Sequence, residues 1–257
     1  MDERLDKYLV NNGFFESRNK AQQEIKEGNV KVDSKICKKK SHKVNEKNSI
    51  EVIKRTFKYV SRSGLKLKKF LQSVDLNMKN FKVLDIGSST GGFVEVLLEE
   101  GISKIYAVDV GQNQLHKKLK KKDRVSSFEN TDIRDFLKKR ENIDFDLVTI
   151  DLSFISLRKI VTKIINRADR FIFLFKPQFE TPRKYKNKQG VIKNLEIHIK
   201  YLKKFVDFLE DIGFNIIQIK KSLLKGSSGN QEYFIYCDNN NGGTVSLDDI
   251  KKEVLSE

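Results

Sequence analysis

The segment Lys82-Val83-Leu84-Asp85-Ile86-Gly87-Ser88-Ser89-Thr90-Gly91-Gly92-Phe93 decides the fold. Its first five residues, apolar except for Lys82 and Asp85, read as a strand, and the glycine-rich turn after it leads into a helix over Gly92 to Glu100. A turn of this kind lets a ligand approach the backbone closely. It is not the G-x-G-x-x-G dinucleotide fingerprint, and alone it is equally well explained as a tight turn. Asp109 shifts that balance. It lies on the next strand, Lys104 to Val110, about twenty residues on, where an acid can accept both hydroxyls of an adenosine ribose. The two features together point to an adenosine cofactor.

Outward from this segment, strands alternate with helices. Strands are expected at Val125 to Phe128, Phe145 to Asp151, Arg170 to Lys176, Phe214 to Lys220 and Glu232 to Cys237, with helices at Ser156 to Ala168 and Leu195 to Ile212. This order predicts an α/β fold, a Rossmann-like sheet of seven strands, a geometry that methyltransferases share with NAD enzymes and other nucleoside binders. Two strands end in charge. Asp151 closes one apolar run and Lys176 closes Phe171-Ile172-Phe173-Leu174-Phe175, both at the carboxyl edge where open α/β sheets bind ligands. Partial burial is expected to lower the pKa of Lys176 toward that of a usable base.

Before the sheet lies a small α+β unit. Leu5, Leu9 and Val10 form one helical stripe, Ser17 caps a second helix running to Glu27, and Val30 to Val32 and Ser49 to Ile53 read as strands around a lysine-rich hairpin or loop at Lys38 to Lys40. The expected organisation is residues 1–60 as this first unit, 61–80 as connector and first helix of the second, 81–240 as the α/β domain, and 241–257 as a C-terminal appendage.

With 51 Lys and Arg against 35 Asp and Glu, the 257-residue chain carries a formal charge of +16. That balance suits a polyanion such as nucleic acid, although lysine-rich composition also arises from base composition in a genome. Cys37 and Cys237 stand far apart and the three histidines are scattered, so neither a disulfide framework nor a metal site is expected. The charged N-terminus and the short apolar runs argue against a signal peptide or membrane span and for a cytoplasmic protein.

Two sets of motifs carry a family resemblance. Arg4-Leu5-Asp6-Lys7-Tyr8-Leu9, Ser17-Arg18 and Glu27 to Asp33 resemble the S-four-type RNA-binding domain. Val60 to Leu67, the Asp85 loop, Val108 to Gly111 with Gln114-Leu115, Asp151 to Ser156, Lys176 to Glu180 and Ser228 to Phe234 resemble the TlyA family of hemolysin-named ribosomal RNA 2'-O-methyltransferases, whose catalytic domain is FtsJ-like.

The resemblance implies S-adenosylmethionine as cofactor and ribosomal RNA or ribosomal subunits as partner, with cytidine the expected nucleotide. It implies a catalytic set of Lys66, Asp151, Lys176 and Glu232, with Lys176 the general base for a ribose 2'-hydroxyl. Judged without it, Lys66 and Glu232 read equally well as a surface ion pair. Implied cofactor contacts are Asp85, Gly87, Ser88, Thr90, Gly91, Asp109, Val110 and Asp132. Implied RNA contacts are Arg4, Lys7, Ser17, Arg18, Lys20, Lys31 and Arg62. Asn130, Asp132 and Ser63 depart from the family pattern. Competing readings are a membrane-active hemolysin and a noncatalytic assembly factor; the Asp85 loop argues against a pseudouridine synthase. Oligomeric state is left open.

Overall fold

The computed structural model describes residues 2–15, 18–53 and 59–256, without the side chains of residues 19, 20, 23 and 27. The chain divides into two compact units, residues 1–57 and 58–257.

The first unit contains β1 (Glu3–Arg4), α1 (Leu5–Asn11), α2 (Arg18–Glu27), β2 (Val30–Val32), β3 (Lys35–Ile36), β4 (Lys43–Val44) and β5 (Ile50–Val52). Leu5 and Leu9 on α1 and Ala21 and Ile25 on α2 are spaced four apart. Each pair shares one helical face, and these faces meet Val30, Val32 and Val44 in a small core. The structure adds three short strands, β1, β3 and β4, to the two expected from the sequence. β3 folds back on β2 through Asp33 and Ser34, whose φ angles are 49° and 66°. Such a two-residue turn ordinarily calls for Asn or Gly. Here the Asp33 carboxylate accepts from the Ser49 N–H and the Asn48 amide, which holds the turn against β5's approach. Ser17, expected to cap α2, lies outside the described residues.

The second unit opens with α3 (Arg62–Leu71) and continues β6 (Lys82–Ile86), α4 (Gly92–Glu99), β7 (Lys104–Val108), α5 (Lys117–Lys120), β8 (Val125–Phe128), α6 (Ile133–Lys138) and β9 (Phe145–Ile150). Then follow α7 (Arg158–Ile164), β10 (Ala168–Phe175), α8 (Pro177–Glu180), α9 (Leu195–Asp211), β11 (Ile216–Lys221), β12 (Tyr233–Asp238) and α10 (Leu247–Leu255). The seven strands lie in the order β11-β12-β10-β9-β6-β7-β8. Only β12 runs antiparallel to its neighbours.

Both faces of the sheet are covered, which is why a central strand such as β10 is apolar from Phe171 to Phe175. On β10, Phe171, Phe173 and Phe175 enter one core with α7, α9 and α10, while Ile172 and Leu174 enter the opposite core with α3 and α4. On β12, Tyr233, Ile235 and Cys237 join the first core and Phe234 and Tyr236 the second. The segment expected as an appendage does not hang free. α10 begins with a capping box of Ser246 and Asp249 and buries Ile250 and Val254 completely in the main core. Its apolar stripe is short, so the polar, glycine-rich stretch before it dominated the sequence signal.

Candidate active site

The carboxyl ends of β6, β7, β9 and β10 share one edge of the sheet, and the antiparallel direction of β12 brings its beginning to that same edge. Phe175 of β10 pairs with Tyr233 of β12, so one step outward Lys176 stands opposite Glu232. Phe173 pairs with Ile150, which puts Asp151 beside the same strand end. Sheet register alone therefore gathers three charged side chains that the sequence separates by up to 81 residues.

Lys66 reaches this edge from α3. Gly64 and Gly92 make the approach possible: a Cβ on Gly64 would stand 2.8 Å from the Gly92 carbonyl oxygen, and one on Gly92 would stand 2.7 Å from the Gly64 nitrogen. The helix is further held by Tyr59, whose hydroxyl donates to Glu99 at 2.9 Å, and by the Val60 N–H, which donates to Glu95 at 2.6 Å. Lys66 Nζ then donates to Glu232 Oε2 at 2.6 Å, with both side chains buried. The bland alternative for this pair, a surface ion pair, is excluded by that burial. A Cβ on Gly226 would lie 2.4 Å from Glu232 Oε1, so this glycine lets the β11–β12 loop close over the carboxylate.

Lys176 Nζ lies 2.5 Å from Asp151 Oδ1 and donates to Ser153 Oγ at 3.0 Å. Burial opposes its charge, but the carboxylates of Asp151 and Glu232 outweigh burial and hold its pKa above the ordinary lysine value. This corrects the expected lowering. A single strand end, considered by itself, shows the burial and not the acids that other strands deliver. The loops bearing the two residues are also tied together: Glu180 accepts from Ser156 Oγ at 2.6 Å and from the Leu157 N–H at 2.7 Å.

Beside this cluster is the glycine loop. Gly87 and Gly91 have φ angles of 85° and 97°, and a Cβ on Gly87 would stand 2.5 Å from the Asp151 carbonyl oxygen. Asp85 is wholly buried. Its Oδ1 accepts from Thr149 Oγ1 at 2.6 Å, its Oδ2 has no hydrogen-bond partner among the described residues, and burial pushes its pKa up to about 7. An orphaned buried oxygen beside a glycine cradle is what a polar ligand group would satisfy. Asp109 is oriented by the N–H groups of Ser89 and Gly111, at 2.8 and 2.6 Å, which leaves lone pairs for ribose hydroxyls. Val110 next to it is 71% exposed, an apolar surface with no cover from this chain. Ser88 is buried in the same loop, and Thr90 follows it.

Asp132 is engaged differently. It caps α6 through the Arg134 N–H, and the Arg134 guanidinium beside it holds its carboxyl down to about 2. Residues that sequence reading missed are Thr149 and Ser153, the direct partners of Asp85 and Lys176, and Phe154. The Phe154 ring is 86% exposed at a φ of 69° and lies 5.2 Å from Phe179. A bulky residue in that conformation is uncommon, and its position three residues beyond Asp151 was the available signal.

The RNA-contact candidates are unequally placed. Arg4 and Arg18 meet on the buried carboxylate of Asp6, at 2.9 and 3.1 Å, and Lys7 is exposed on α1. Lys31 pairs with Glu51 at 3.1 Å. Arg62 donates to the Lys225 carbonyl at 3.4 Å, and the Lys20 side chain lies outside the described residues.

The model of the FtsJ-like methyltransferase family matches residues 59–239, and that of the S4 domain residues 3–50. The hemolysin A of Brachyspira hyodysenteriae is 39% identical over 91% of this chain and 98% of its own. The 16S/23S rRNA (cytidine-2'-O)-methyltransferase TlyA of Mycobacterium tuberculosis is 31% identical over 99% of this chain and 97% of its own. The chain belongs to the TlyA group of FtsJ-like methyltransferases. A solved structure from Streptococcus thermophilus that carries a hemolysin name superposes with a TM-score of 0.73 at 32% identity, covering 98% of this chain and 94% of that one. Family membership indicates S-adenosylmethionine as cofactor, and the orphaned Asp85 oxygen, the glycine cradle and the oriented Asp109 fit it. Among the described residues no helix is long and apolar enough to cross a membrane.

Proposed function

We propose that this protein methylates the 2'-hydroxyl of a ribose in ribosomal RNA, a cytidine, with Lys176 as general base. The observation that carries the reading is the buried lysine set against two carboxylates, Asp151 and Glu232, at the edge where the cofactor loop ends. The cytidine-2'-O-methyltransferase name of the Mycobacterium relative supports the substrate class.

S-adenosylmethionine, when bound, supplies an electrophilic methyl group on a positive sulfur. Asp109 and the Gly87 to Gly91 turn would hold its nucleoside end, Asp85 would take a polar group at its free oxygen, and Val110 would cover an apolar face. Asp132, at the N-terminus of α6, would add a further contact. A ribose hydroxyl is a weak nucleophile, so its proton must pass to Lys176 Nζ as the oxygen forms its new bond. Lys176 is charged in the free protein; facing a second positive charge in the cleft, it releases its proton more readily. Asp151 and Ser153 fix the amine in place. Lys66 holds Glu232, which positions the opposite side of the site. Phe154 and Phe179 offer ring faces on which the target base stacks. Arg4, Lys7, Ser17, Arg18, Lys20, Lys31 and Arg62 bind phosphates, and the protein acts on ribosomes in the cytoplasm.

The test is incubation of the purified protein with labelled S-adenosylmethionine and ribosomal subunits, followed by nucleoside mass analysis. Label on a 2'-O-methyl ribose is expected. Label on a base, or none on either subunit, would overturn the reading. Phe154→Ala is expected to lower kcat/KM about ten-fold, the effect of losing one base stack.

A further inference from the structure

The first unit contains a buried acid with an unusual set of partners. Asp6 sits in the first turn of α1 with no exposed surface. Arg4 donates to it twice, Nε to Oδ1 at 2.9 Å and Nη2 to Oδ2 at 3.1 Å. Arg18 Nη2 donates to the same Oδ2 at 3.1 Å, and Gln22 Nε2 donates to it at 2.7 Å. Arg18 and Gln22 lie one turn apart on α2 and so present one face. Gln22 in turn accepts from Lys40 Nζ at 3.0 Å. Three cations from β1, α2 and the lysine loop are thereby gathered around one carboxylate.

The carboxylate is hidden and the cations are not. The side chains of Arg4 and Arg18 retain 36% and 49% of their exposure. Nη1 of Arg4, and Nε and Nη1 of Arg18, have no other partner among the described residues. Because both guanidinium groups meet one oxygen, they stand side by side with donors facing solvent. The Arg4 hydrogen bonds, with those from Arg18 and Gln22, hold the Asp6 carboxyl far below the ordinary carboxylate range, so the cluster stays ionised.

We propose that Asp6 is a positioning residue for RNA recognition: it fixes Arg4 and Arg18 as a rigid fork for a phosphodiester group and, through Gln22, adds Lys40 to that phosphate-binding surface. The proposal rests on the reading of RNA as substrate. Long basic side chains lose rotamer freedom when they bind, and a fork ordered in advance avoids that loss.

The test is fluorescence anisotropy of the full chain with a labelled RNA hairpin, from about 50 to 200 mM salt. Asp6→Asn removes a negative charge. If Asp6 merely offsets the arginines, the variant binds RNA more tightly; if Asp6 organises them, it binds about ten-fold more weakly with a salt slope reduced by about one to two. Tighter or unchanged binding by the folded variant overturns the proposal. Should circular dichroism show that Asp6→Asn loses structure, Gln22→Ala and Lys40→Ala decide. Each is expected to weaken binding about two- to three-fold, with no further loss when combined, because they break one chain of contacts. No loss, or fully additive losses, overturns the Lys40 assignment. Absence of salt-dependent RNA binding by the unaltered protein would instead overturn the RNA reading itself.

Discussion

Two assemblies of acid and base in this molecule use the same charges in opposite ways. At the sheet edge, Lys176 and Lys66 are buried together with their carboxylates, so cation and anion are both hidden. Around Asp6 the carboxylate is hidden and the arginines reach solvent. The residue types match the difference. A lysine amine can shed its proton and do chemistry; a guanidinium cannot, but it keeps a fixed fork of donors for phosphate. Burial of a lysine between acids therefore fits the proposed reaction site, whereas exposure of arginines over a buried acid fits the proposed binding surface.

Exchanging the cations breaks the comparison most severely. Lys176→Arg keeps the ion pair with Asp151 and removes the titratable amine, so methyl transfer is expected to fall about 10³-fold or more in kcat while the fold melts as before. Asp151→Asn is the next largest change. Only Glu232 then opposes the burial of Lys176, whose pKa drops, and transfer falls about 10²-fold because the amine is no longer held. In the first unit the reverse exchange, Arg18→Lys, retains charge and loses the fork. RNA affinity is expected to fall only a few-fold, measured by anisotropy.

Asp85 gives the smallest and most conditional effect. Its carboxyl is raised from 3.8 to about 7 in the folded chain. Between those values the folded state keeps a proton that the unfolded state has lost, so this group's stabilising contribution declines as pH rises through the window and is gone above it. Thermal melts of the free protein should fall across that range in the wild type and flatten in Asp85→Asn. An unchanged slope in the variant would remove Asp85 as the cause.

Local sequence carried the sheet well. Phe171 to Phe175 are legible as a strand because every residue is apolar, and Asp85 and Asp109 as strand-end acids. Glu232 was not legible in this way. Its place beside Lys176 depends on an antiparallel strand entering between β10 and β11, a long-range pairing that no local pattern encodes, and only family resemblance singled it out. Lys66 was hidden for a related reason: it sits on a helix before the sheet begins, and its access depends on the Gly64–Gly92 contact across 28 residues. The pKa of Lys176 was misjudged because it is a sum over acids from two other elements. Asp6 passed as an ordinary helix residue, since its partners Arg18, Gln22 and, through Gln22, Lys40 converge only in three dimensions.

The central claim is that a titrating lysine at position 176 takes the hydroxyl proton. Single-turnover methyl transfer to ribosomal subunits, followed as a function of pH, tests it most directly. The wild-type rate is expected to rise with pH as Lys176 gives up its proton, and the Lys176→Arg rate to be about 10³-fold lower and flat. A Lys176→Arg enzyme with the wild-type rate and the wild-type pH profile would contradict it.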